Sequence, residues 1–113
     1  MIRFEQELRV RIGKNKVMKR AKTEISIARA MVMTEFALTE LTVGLEFANI
    51  ARESRLVNRY AEGLRQKTEA MKAHQTALNY LPEADPTEEQ RVLIEKRLAE
   101  LESALRALEK MYP

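Results

Sequence analysis

The chain contains no cysteine, which excludes a disulfide framework and a thiolate metal site and makes a reducing compartment, the cytoplasm, the expected location. Histidine occurs once, at His74, so the usual Ser–His and Cys–His nucleophile pairs are missing, and Ser26, Ser54 and Ser103 stand in helical contexts rather than strained turns. A di-iron bundle would need Glu-x-x-His on two helices, yet the residue three before His74 is Met71. The three glycines, Gly13, Gly44 and Gly63, lie too far apart to form a phosphate-cradling loop. With no reactive constellation, the chain reads as non-catalytic, with no metal and no cofactor.

Long uncharged apolar runs are also lacking. The most apolar stretch, Ala30 to Ala51, carries Glu35, Glu40 and Glu46, each costly in hydrocarbon, so no membrane span is expected. The first residues, MIRFEQELRVRIG, bear charges throughout, unlike the apolar core of a secretory signal.

What remains is helix-forming composition. The 113 residues have room for one core, and 45% hydrophobic with 33% charged residues, only three Gly and three Pro, point to an all-α fold. The net charge of +3 hides an asymmetry. Residues 1–22 hold Arg3, Arg9, Arg11, Lys14, Lys16, Lys19, Arg20 and Lys22 against Glu5 and Glu7, eight minus two or +6, which leaves the remainder at −3. A basic end of this kind is either a solvated end, the commoner case, or a contact for nucleic acid or a membrane surface.

Ile94, Leu98, Leu101, Leu105, Leu108 and Tyr112 recur at alternating spacings of four and three, a heptad stripe on one helix face. Asp85 as cap, Pro86 at the first helical position and Glu88 three residues after Asp85 mark its start. Val57, Leu64, Met71 and Leu78 repeat every seven residues, with Tyr60, Ala61 and Leu81 on the same side, and Pro82 ends the run. Gly63 inside this second helix suggests a bend or a close helix contact. The first helix is apolar nearly all round: Ile25, Ile27, Ala28, Met31, Val32, Phe36, Leu38, Leu41, Val43, Leu45, Phe47, Ala48 and Ile50 leave little polar face. The expected architecture is a three-helix antiparallel bundle with an overlong first helix (about 16–53), then helices at about 55–81 and 86–111, preceded by a basic N-terminal arm, 1–15. Residues 2–12 alternate apolar and charged as a strand would, and one strand needs a partner; otherwise they extend the helical part.

His74, at the apolar edge of the second helix, is expected to pack or hydrogen-bond in the interior. Glu35, Glu40 and Glu46 are expected to face solvent or pair with arginines such as Arg59 and Arg65. Met31, Met33 and Met71 read as gap fillers of the core or as an adaptable surface, with core filling the default.

The segments LTVGLEFANIA (Leu41 to Ala51) and AMKAHQTALNYLP (Ala70 to Pro82) resemble the two helices of a degenerate tetratricopeptide repeat: Ala70, His74, Ala77 and Pro82 fall at that family's intervals, and Gly44 and Phe47 resemble its small and aromatic positions. The layout is also similar to the helical hairpins of small uncharacterised bacterial helical-bundle proteins and of microtubule-interacting-and-transport domains. The resemblance implies a helical hairpin used for protein binding and assigns no peptide-binding residues.

A helix apolar on two sides must be covered on two sides. The overlong first helix therefore predicts a protein-interaction or scaffold module that forms a homodimer through Ile25, Ala28, Val32 and Phe36, beyond the reach of the other two helices. The alternative is a nucleic-acid-binding protein using Lys14, Lys16, Lys19, Arg20 and Lys22 on phosphates; apart from Phe4 that arm lacks aromatics for base stacking.

Overall fold

The computed structural model describes residues 16–113, with side chains from Glu24 onward; the arm 1–15, with its strand-like residues 2–12, lies outside the described residues. The chain is all-α: α1 (Lys16–Leu56), α2 (Tyr60–Tyr80), a 3-10 turn (Leu81–Glu83) and α3 (Glu88–Met111). The 41 residues of α1 span about 61 Å at the α-helical rise, in keeping with a longest dimension of 63 Å. The helices run up, down, up. The hydrogen bonds Gln90 to Glu35 (3.1 Å) and Arg97 to Thr42 (2.7 Å) therefore climb both α1 and α3 in the same direction.

The first connection is set by local chemistry. Asn58 takes the left-handed conformation, φ 62°, and the amides of Asn58 and Arg59 donate back to the carbonyls of Arg55 and Ser54 at 3.3 and 2.8 Å. This is the Schellman arrangement, in which asparagine tolerates the positive φ and satisfies two orphan carbonyls. It places the turn at residues 57–59, so α2 begins at Tyr60, not near residue 55. The start of α3 also differs from the Asp85, Pro86, Glu88 expectation: Thr87 is the cap, its Oγ1 accepting from the Gln90 amide at 3.2 Å while the Gln90 side chain accepts from the Thr87 amide at 2.9 Å. Asp85 is engaged elsewhere, since its own amide donates to Thr34 Oγ1 on α1 at 3.0 Å.

The α1–α2 interface is built from small residues. On α1 the row Ala30, Ala37, Gly44, Ala51 repeats every seven positions; on α2 the row Gly63, Ala70, Ala77 does the same, and Ala84 continues its spacing. All are buried. The rows run antiparallel, with Gly44 against Ala73 and Gly63 against Ser54, and side chains this short let two helix backbones approach closely. The expected stripe of α2 is accordingly displaced: Val57 lies in the turn, Leu64 (40%) and Met71 (46%) are exposed, and Leu78 is only half-buried. A Leu or Met on the inner face would hold the two helices apart.

The seam of α3 is as expected, with Ile94, Leu101, Leu108 and Tyr112 buried and Leu98 and Leu105 packed partly buried beside them. Leu101 lies over Gly44, where an added Cβ would come within 2.8 Å of its Cδ2. Tyr112, one residue past the helix, closes the far end of the bundle, and Arg55 and Lys67 donate to the carbonyls of Met111 and Tyr112 at 3.1 and 3.2 Å. Cations at the C-terminal carbonyls satisfy them and complement the helix dipole.

Candidate interaction surface

Helices α2 and α3 cover one half of α1 and leave the other bare. Where Asp85 meets Thr34 and Arg29 meets Glu83 at 3.3 Å, the bundle ends, and the N-terminal turns of α1 project beyond it. At 1.5 Å per residue the 14 residues from Lys16 to Arg29 extend about 21 Å. Within that length Ile25 is 67% exposed and Ala28 is exposed.

Val32 (44% exposed) and Phe36 (46%) were expected to lie past the other helices, and they do not. They stand beside the bundle on its outer side, and the Phe36 ring packs at 5.4 Å against Tyr80 of α2. The four residues named from the sequence thus share one accessible face. The same face continues further along α1 through Thr39, half-buried Val43 and exposed Ile50, three residues that the sequence reading did not assign to it. The spacing Ile25, Val32, Phe36, Val43, Ile50, of seven, four, seven and seven, carries the signal; it was hidden because the opposite face of α1 is apolar too.

Carboxylates border this face. Glu35 and Glu46 are exposed and Glu40 is half-buried. Glu35 accepts from Gln90, not from Arg59 or Arg65; Arg65 instead pairs with Glu62 on its own helix, and with the Gln66 amide that contact holds the Glu62 carboxyl below its ordinary range. Arg91 does the same for Glu88. Met31 and Met71 are exposed rather than core, while Met33 is half-buried. His74 is half-buried, its Nε2 facing Glu102 at 3.6 Å without a hydrogen bond.

Of the five cations proposed to touch nucleic acid, Lys14 lies outside the described residues; Lys16, Lys19, Arg20 and Lys22 belong to the first turns of α1, ahead of the described side chains. Among the described residues no group of His, Asp and Glu is placed to hold a metal ion, and no helix is long and apolar enough to cross a membrane. A shallow groove of about 510 Å³ between α1 and α3 is walled by the four alanines Ala48, Ala99, Ala104 and Ala107 together with polar side chains such as Arg52 and Glu100. Among the described residues, the exposed apolar side chains of α1 form an extended strip along the helix. No protein-family model, characterised protein or solved structure matches the chain.

Proposed function

We infer that the chain is a non-catalytic protein-interaction or scaffold module that self-associates through α1. The observation that carries this reading is the row of large apolar side chains left in water along α1: Ile25, Val32, Phe36 and Ile50, on one face and over six helical turns. A single exposed leucine needs no explanation, but a contiguous apolar strip is the usual mark of an interface. A twofold dimer covers such a strip with one self-complementary patch. The resemblance of segments 41–51 and 70–82 to a tetratricopeptide hairpin supports the same class of use. Multi-angle light scattering across concentration tests it: the mass rises toward twice that of the 13.1 kDa chain, whereas a strict monomer at every concentration overturns the reading.

A further inference from the structure

We propose that the occupant of the exposed α1 face is a second α1 running antiparallel, in the register that sets Ile25 of one chain against Ile50 of the other. The proposal rests on the self-association above and adds its geometry.

Two independent features of α1 lead to this arrangement. The first is spacing. Along the exposed face the side chains are ordered Ile25, Val32, Phe36, Thr39, Val43, Ile50. Reversed end for end about the midpoint between Phe36 and Thr39, the row maps onto itself: Ile25 falls on Ile50 and Val32 on Val43. A face that is its own reverse is what a twofold axis perpendicular to the helix requires, since residue i then meets residue j and j meets i. The matched row is about 38 Å long, and its layers are β-branched pairs with an aromatic at the centre.

The second feature is charge. Residues 16–29 carry Lys16, Lys19, Arg20, Lys22 and Arg29 against Glu24, five minus one or +4; residues 35–53 carry Glu35, Glu40, Glu46 and Glu53 against Arg52, four minus one or −3. A parallel pair would set the basic ends side by side and the acidic halves side by side. The antiparallel pair in this register sets each basic end along residues 46–59 of its neighbour, which carry Glu46 and Glu53 against Arg52, Arg55 and Arg59, a net +1; the cost of setting +4 against +4 disfavours the parallel alternative. The antiparallel pair also covers the end of α1 that projects beyond the bundle, because residues 16–29 of one chain then lie alongside residues 46–59 of the other. The exposed apolar face and the projecting end are accounted for together.

The absence of cysteine makes the test direct. Ile25→Cys and Ile50→Cys are separate single variants at exposed positions, and each is checked for native helicity by circular dichroism. The two are mixed, allowed to exchange subunits and oxidised mildly. The expected result is a disulfide-linked species in the mixture joining residue 25 to residue 50, with little linkage in either variant alone. Efficient linkage of Ile25→Cys to itself would overturn the antiparallel orientation while leaving self-association standing. A dimeric mass with no linkage in any sample would overturn the α1 register, and a monomeric mass for the unsubstituted chain would overturn this proposal and the reading beneath it together.

Discussion

The Tyr112 hydroxyl donates to the Ala51 carbonyl at 2.5 Å, reaching it across the position where a side chain on Gly63 would stand. A Cβ at residue 63 would lie 1.7 Å from Tyr112 Oη and 2.6 Å from Cζ. Tyr60 packs tilted against the same ring at 5.2 Å, so the end of α3 is locked into a notch made by a missing side chain.

Gly63→Ala therefore runs against helix propensity. Alanine favours a helix interior by about 1 kcal/mol, yet here the Tyr112 ring must leave its site, giving up its hydrogen bond and its burial. We expect a net loss of about 1–3 kcal/mol in urea melts. In a Tyr112→Ala background the loss should shrink to what the contact with Ser54 Cβ, 3.0 Å from the added Cβ, still costs, and that reduction identifies the notch as the main cause.

The small-residue rows make an analogous prediction for α2. Ala70→Leu and Ala77→Leu insert volume between closely approached backbones and should cost about 1–3 kcal/mol or more. Leu64→Ala and Met71→Ala remove larger side chains that already face water, and should each cost less than about 1 kcal/mol. Thermal melts of the four variants rank them; the opposite order would mean that α2 is rotated from the orientation described.

On α3 the loss should follow burial. Leu101→Ala, at a fully buried residue against Gly44, is expected to cost about 2–5 kcal/mol. Half-buried Leu105 should cost less on truncation, and Glu102→Ala under about 0.5 kcal/mol. Equal losses at the three positions would contradict the seam.

Acid sensitivity should be weak and confined to low pH. Glu62 and Glu88 have carboxyls held below their ordinary value of 4.5, by Gln66 and Arg65 and by Arg91 respectively. A depressed carboxylate contributes stability above its unfolded pKa and loses it as pH falls through the folded one. The denaturation midpoint should stay level down to about pH 5 and decline below it, with Glu62→Gln and Glu88→Gln flattening that decline.

The elements legible from the sequence were those in which large apolar residues alternate with polar ones. The α3 seam from Ile94 to Tyr112 followed its heptad because α3 has one apolar face and one wet face. The orientation of α2 was not legible from the same rule: Leu64 and Met71 outweigh alanine in any hydrophobic pattern, yet here shape decides, and the alanines of α2 fit the alanine and glycine row of α1. The helix boundaries shifted for local reasons, since Asn58 makes a Schellman turn and Thr87 with Gln90 makes a stronger box than Asp85 with Glu88. On the candidate surface, the exposure of Ile25 and Ala28 followed from the excess length of α1, whereas Val32 and Phe36 are exposed beside the bundle and not beyond it. Val43 and Ile50 were not recognisable, because in a helix apolar on both sides periodicity does not say which side is inward.

The central claim is that the outer face of α1 joins copies of the chain without holding each copy folded. Sedimentation of the double variant Val32→Glu, Phe36→Lys, paired with circular dichroism, tests it most directly, because both side chains are nearly half exposed and charge there disturbs an interface more than a core. The expected result is a helical monomer, against a dimeric mass for the unsubstituted chain. A double variant that keeps the dimeric mass with its helicity intact would contradict it.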